Sequence, residues 1–151
     1  AELSFANQNV SQYEFESGAL KISQFQKRAL MLLILHKIVK NFEAGLKPVS
    51  DEEIGKTLRI PVRLARDILD DLSNASIVSV LHENEKKQRL YQPAIDINKL
   101  SVSYVLSRVE KKGTEDNLLV EGKNYNKIIS ILDKYDDLAE KSDSNILIKD
   151  L

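Results

Sequence analysis

The stretch SDEEIGKTLRIPVRLARDILDDLSNASIVSVLHENEKKQRLYQP, Ser50 to Pro93, decides the fold. Ser50 and Glu53 have the spacing of a capping box, and the acids Asp51 to Glu53 favour a helix N-terminus, so a short helix through Ile54 and Leu58 is predicted. Ile60 and Pro61 break and restart the chain, because proline at a first helical position gives up no hydrogen bond it would have made. A second helix, from about Pro61 to Asn74, then buries Val62, Ala65, Leu69 and Leu72, with Leu64 and Ile68 on its shoulder. Ile77-Val78-Ser79-Val80-Leu81 is a β-branched run, His82 to Gln88 is a polar tip, and Arg89-Leu90-Tyr91-Gln92 is a second run that Pro93 ends. This pattern predicts two antiparallel strands.

Working outward, Ser23 stands as N-cap before a long apolar-periodic stretch ending at Phe42, with Gly45 placed to stop it. Phe25, Ala29, Leu32, Leu33, Val39 and Phe42 recur at helical spacing, and Met31, Ile34, Leu35 and Ile38 widen the stripe, so this helix should be central and buried on several sides. Downstream, Leu100, Val102, Val105, Leu106 and Val109 predict a helix from about Ser101 to Lys112, stopped by Gly113. Thr114 to Gly122 reads as a linker. Asn124 to about Lys141 carries Tyr125, Ile128, Ile129, Leu132, Tyr135 and Leu138 at helical spacing, an amphipathic helix that packs on the first helix, on Ser101 to Lys112, or on a second copy. Ser142 to Leu151 reads as a tail that frays or docks weakly.

The order helix, short helix, turn, helix, hairpin is that of a winged helix-turn-helix. The expected fold class is mainly α with a small β-hairpin, a winged helix-turn-helix with additional N- and C-terminal segments. The expected division is an arm over 1–22, a winged-helix domain over 23–113, and a linker, helix and tail over 114–151.

Composition narrows the function. The 151 residues carry 22 Lys and Arg against 23 Asp and Glu, and 42% are hydrophobic, too apolar for a disordered chain and too polar for a membrane bundle. The longest apolar run, Ala29 to Leu35, is far below the roughly 18 residues needed to span a bilayer. The absence of cysteine removes disulfides, thiol catalysis, Cys-ligated zinc and iron–sulfur clusters. Charge is segregated: 1–22 is net -2, 23–113 is +5 and 114–151 is -4.

Two resemblances follow from particular residues. Leu90-Tyr91-Gln92-Pro93-Ala94, followed by Ile97-Asn98-Lys99-Leu100, resembles winged-helix regulators that hold iron–sulfur clusters on cysteines after the wing; lacking cysteine, this chain cannot share that sensing chemistry. Ala1-Glu2-Leu3-Ser4, the helix around Leu30 to Phe42 with Gly45, Ile60-Pro61-Val62-Arg63 and Tyr91-Gln92-Pro93-Ala94 together resemble the C-terminal cytoplasmic part of YihY/BrkB-type inner-membrane proteins, formerly labelled ribonuclease BN. That second resemblance implies a parent that crosses the membrane, a place on the cytoplasmic side of the bacterial inner membrane, and an arm following a transmembrane helix.

The chemistry available is thin. His36 and His82 share no metal-ligand spacing, and the adjacent carboxylates of Asp70-Asp71 and Asp136-Asp137 point about 100° apart on a helix and do not converge. No glycine-rich phosphate loop is present. No catalytic residue, metal ligand or cofactor is expected, and the chain reads as a non-enzyme. In a DNA-binding winged helix the second helix of the motif enters the major groove and the wing touches phosphate. Those roles would fall to Arg59, Arg63 and Arg66, and to Lys86, Lys87 and Arg89. Asp67, Asp70 and Asp71 on the same helix would repel phosphate, so DNA binding is expected to be weak. The leading expectation is therefore a non-catalytic protein-interaction or regulatory module of a YihY/BrkB-type membrane protein, with a protein partner or self-association through the C-terminal helix. The alternative is a DNA-binding winged-helix transcriptional regulator.

Overall fold

The computed structural model describes residues 21–83, 87–112 and 120–151. The expected arm falls almost wholly, and the expected linker largely, on residues outside these.

Helix α1, Gln24–Glu43, opens on a complete capping box: the Gln26 amide donates to Ser23 Oγ at 3.1 Å and the Ser23 amide donates to Gln26 Oε1 at 3.1 Å. It closes on a Schellman turn, with Gly45 at φ 67 and the Leu46 amide donating to the Asn41 carbonyl at 2.9 Å. The face it buries is Met31, Ile34, Leu35, Ile38 and Val39. Of the other stripe Val39 joins that face and Leu32 packs against it, while the ends are turned out: Phe25 is 81% exposed and Phe42 51%. Both sets have helical spacing, and only the position of the neighbouring elements selects between them.

A two-residue strand, β1 (Val49–Ser50), follows, then α2 (Asp51–Leu58) and α3 (Val62–Asn74). At Ser50 half of the expected capping box forms: its hydroxyl accepts from the Glu53 amide at 3.1 Å, while the Asp51 carboxylate accepts from the Glu52 amide at 2.9 Å. Arg59, in the left-handed region at φ 54, ends α2. Gly55 lets α2 and α3 close on each other, because a Cβ there would lie 3.1 Å from Val62 Cγ2 and 3.2 Å from the Ile60 carbonyl oxygen. Helix α3 buries Ala65, Ile68, Leu69 and Leu72, so Ile68 belongs to the core rather than the shoulder.

Strands β2 (Val78–Glu83) and β3 (Gln88–Pro93) pair antiparallel with Val80 opposite Tyr91, and β1 adds to the other edge of β3 with Val49 opposite Tyr91, giving the order β1-β3-β2. Architecture is thus mainly α-helical with a small three-stranded sheet, a winged helix-turn-helix. Strand β1 was outside the sequence expectation; two residues carry no period, and only pairing with β3 defines them.

Helix α4 (Val102–Glu110) is capped by Ser101, and α5 (Lys123–Glu140) buries none of its residues. Of the surfaces expected for α5, it meets α4, through Lys111, whose Nζ lies 2.7 Å from Asp136 Oδ2. The tail does not fray: it ends in a 3₁₀ turn, Ile148–Asp150, whose Ile148 is 0% exposed. The Ile148 amide donates to the Leu100 carbonyl at 2.8 Å, and its carbonyl lies 2.7 Å from His36 Nδ1. His36 is thereby a packing and anchoring group.

Tyr91 is also 0% exposed, and its hydroxyl has no hydrogen-bond partner among the described residues. Burial pushes this phenol above its usual pKa. An orphaned buried hydroxyl costs on the order of 1–3 kcal/mol. Tyr91→Phe is therefore expected to leave the urea midpoint unchanged or to raise it; a clear fall would reveal a partner for the hydroxyl.

Candidate nucleic-acid interface

The sequence-predicted residues are distributed over the helix-turn-helix and the wing, and the structure gives them different partners. Arg59 sits in the turn between α2 and α3, and Arg63 in the first turn of α3; both are exposed. Neither forms an ion pair within 4 Å among the described residues. Arg66, one turn further on, is committed inward: its Nε donates to Asp51 Oδ2 at 2.8 Å. Asp51 is only 4% exposed, so this pair ties α3 to the N-terminus of α2. Its carboxylate, by hydrogen bond first and charge second, raises the pKa of Arg66 further.

In the wing, Lys87 is exposed at φ 49 immediately before β3. Arg89 points back to α3, its Nη1 lying 3.4 Å from Asp70 Oδ1. Lys86 lies outside the described residues.

The acids of α3 behave differently from the sequence expectation. Asp70 faces Arg89, and Asp71 is held by two lysines, Lys112 Nζ at 2.7 Å and Lys27 Nζ at 2.8 Å. Of the three only Asp67 is exposed without a described ion-pair partner. The anticipated repulsion of phosphate is thus reduced, because Asp71 is held between two lysines and Asp70 meets Arg89 in a half-exposed pair.

The Asp71 clasp joins α1, α3 and the residues just after α4. Burial would raise the Asp71 carboxyl, but the hydrogen bonds and charges of Lys112 and Lys27 outweigh it and hold the group below the usual carboxylate value. A depressed folded-state pKa contributes stability that is present above the unfolded-state value of about 3.9 and is lost as pH falls through the lower folded value. Asp71→Asn is therefore expected to lower the urea midpoint at pH 6, and the gap from the unmodified chain should close below about pH 4. A gap independent of pH would show that the clasp does not act through charge.

Among the described residues no group of three or more His, Asp or Glu is gathered as a metal site, and Asp136 is taken up by Lys111 and Ser107. No described helix is long and apolar enough to cross a membrane.

No family model matches the sequence, and no curated protein matches it. Solved structures do share the fold. CymR of Staphylococcus aureus matches at 15% identity over 82% of this chain and 93% of that one, with a TM-score of 0.52. IscR of T. potens matches at 15% identity, 87% of this chain and 85% of that one, TM-score 0.54. CymR (YrzC) of B. subtilis, described as the global cysteine regulator, matches at 19% identity, 87% and 94%, TM-score 0.52.

These likenesses correct the second resemblance. The helices and wing attributed to the end of a YihY/BrkB-type membrane protein superpose on nearly whole regulators. The inner-membrane location, the membrane-crossing parent and the reading as that parent's interaction module, with a protein partner or self-association in place of firm DNA binding, rested on that resemblance and on the acids of α3; the first support is gone and the second is reduced. What the chain shares with CymR and IscR is the fold.

Proposed function

We propose that the chain is a non-catalytic, DNA-binding winged-helix regulator. Helix α3 enters the major groove by its N-terminal turn, where Arg63 reads base edges and Arg59 meets the adjoining backbone. The wing lies along phosphate through Lys87, with Lys86 beside it in sequence, while Arg89, paired with Asp70, braces the wing on α3. Arg66 belongs to the same set but acts chiefly as a brace, since Asp51 holds it. The observation that carries this reading is the separation of charge. Arg59 and Arg63 are exposed and unpaired among the described residues at the N-terminal end of α3, where the helix-turn-helix contacts DNA. Asp70 and Asp71, farther along, are paired with cations of the chain itself. The shared fold of CymR, a named regulator, supports the same reading.

The test is selection of duplexes from a random pool, followed by titration at physiological salt. A specific site should be bound at least about a thousandfold tighter than random duplex. Equal binding to every duplex, or none, would overturn the proposal.

One substitution separates repulsion from readout. Asp67→Asn, which removes the unpaired acid of α3, should raise affinity for all duplexes about two- to fivefold without changing the preferred sequence, as expected for a non-specific phosphate effect. A changed sequence preference would instead place Asp67 against a base.

A further inference from the structure

A cleft of about 870 Å³ opens at the far end of α3, between its C-terminus, α4 and α5, a volume within the range of small-molecule sites. Cationic side chains lining it outnumber acidic ones five to three. Lys111 and Lys112 are engaged by Asp136 and Asp71. Arg108 is different. Its Nε donates to the Ala75 carbonyl at 2.8 Å, its Nη1 donates to the Tyr104 hydroxyl at 3.2 Å, and the guanidinium lies 5.7 Å from the centre of the Tyr104 ring. Two neutral acceptors therefore fix the orientation of this cation, and no described carboxylate within 4 Å compensates its charge. A guanidinium immobilised in this way has already lost the side-chain freedom that binding an anion would otherwise cost.

The N-terminus of α4 also opens on this cleft, but its amides are taken. Val102 donates to the Ile146 carbonyl, Ser103 to Asn145 Oδ1 and Tyr104 to Ser101 Oγ. An anion here must be held by side chains, and Arg108 and Lys99 line the same space, the Ser107 hydroxyl being given to Asp136.

We infer that this cleft binds a small organic anion, a planar group carrying a carboxylate or phosphate, on Arg108 and against Tyr104, and that the anion acts on α3 through Ala75. Ala75 is the C-cap of α3, and Ser76 beyond it sits at φ 58, a left-handed conformation that is strained for a non-glycine residue. An anion that binds Arg108 where the Ala75 carbonyl already holds it fastens the end of the helix whose other end carries Arg63. This coupling rests on the DNA-binding reading; the binding site itself does not.

The first measurement uses the full chain without DNA. Benzoate, phenyl phosphate and inorganic phosphate are titrated while the backbone amides of Ala75, Tyr104 and Ser107 are followed by NMR. Benzoate or phenyl phosphate should produce saturable shifts at these three amides, the better of the two naming the head group. Arg108→Gln should weaken the apparent affinity by about tenfold or more, the loss of a charge-assisted hydrogen bond. Lys99→Gln, at an exposed position, should weaken it about twofold, which covers the case in which the arginine variant folds poorly. No saturable shift from either aromatic probe, or shifts unchanged in both variants, would overturn the site. The second measurement repeats the duplex titration with the better probe. A change in affinity supports the coupling, and a duplex bound equally with and without the probe overturns it; a chain that binds no duplex overturns the DNA-binding reading and the coupling, and leaves the first result standing.

Discussion

Ile148→Ala is expected to destabilise the chain by about 2–5 kcal/mol, the range found when a buried isoleucine or leucine is cut back to alanine. Its side chain is fully covered, and its backbone joins the Leu100 carbonyl on one side and the His36 ring on the other. Deleting three carbons there removes their burial and leaves a void against α1. The check is urea unfolding beside Ile146→Ala, two residues away at 40% exposure, which should cost less than about 1 kcal/mol. Equal small losses in the two variants would mean the tail contributes nothing to the core.

Arg63→Ala is expected to weaken binding to the selected duplex by about ten- to a hundredfold, or 1–3 kcal/mol, and to relax preference at one base position. Stability should not change, because the side chain is exposed and makes no described ion pair. Arg66→Ala provides the contrast. It leaves the buried Asp51 carboxylate without its cation, which should cost stability, about 1–2 kcal/mol once the half-exposure of Arg66 is allowed for. Thermal unfolding and duplex titration of both variants separate the roles. Loss of stability with Arg63→Ala, or an unchanged affinity, would move base reading elsewhere.

The parts of this fold that depend on neighbours in sequence are legible without a structure. Ser50 capping α2, Pro61 restarting the chain before α3, and the β-branched run into β2 are local signals with local causes. What sequence could not reveal depends on distant partners. Val49 and Ser50 form a strand only because β3 passes beside them. Two apolar stripes compete on α1, and the short run Ile146-Leu147-Ile148 in the tail does not say which of its side chains is buried. The same division runs through the interface. Arg59, Arg63, Arg66 and Arg89 are recognisable as candidates from their places in the motif, but the pairing of Arg66 with Asp51 and of Asp71 with two lysines joins positions 15 to 44 residues apart. Without those pairs the acids of α3 look like repulsion. Tyr91-Gln92-Pro93-Ala94 carries both sequence resemblances, and it records a strand end and the turn after it, a geometry common to winged helices.

The contact between His36 and Ile148 spans 112 residues, and this has a consequence for the order in which the protein comes into being. His36, on α1, is synthesised 112 residues before Ile148. At about 5–20 residues per second, the interval between them is on the order of ten seconds. The helix-turn-helix and wing, closed by contacts within Val49–Pro93, can assemble early in that interval, while the groove that receives Ile148 stays open to water until the tail arrives. A nascent chain therefore exposes a hydrophobic seam beside a formed helix-turn-helix and wing until Ile148 seals it.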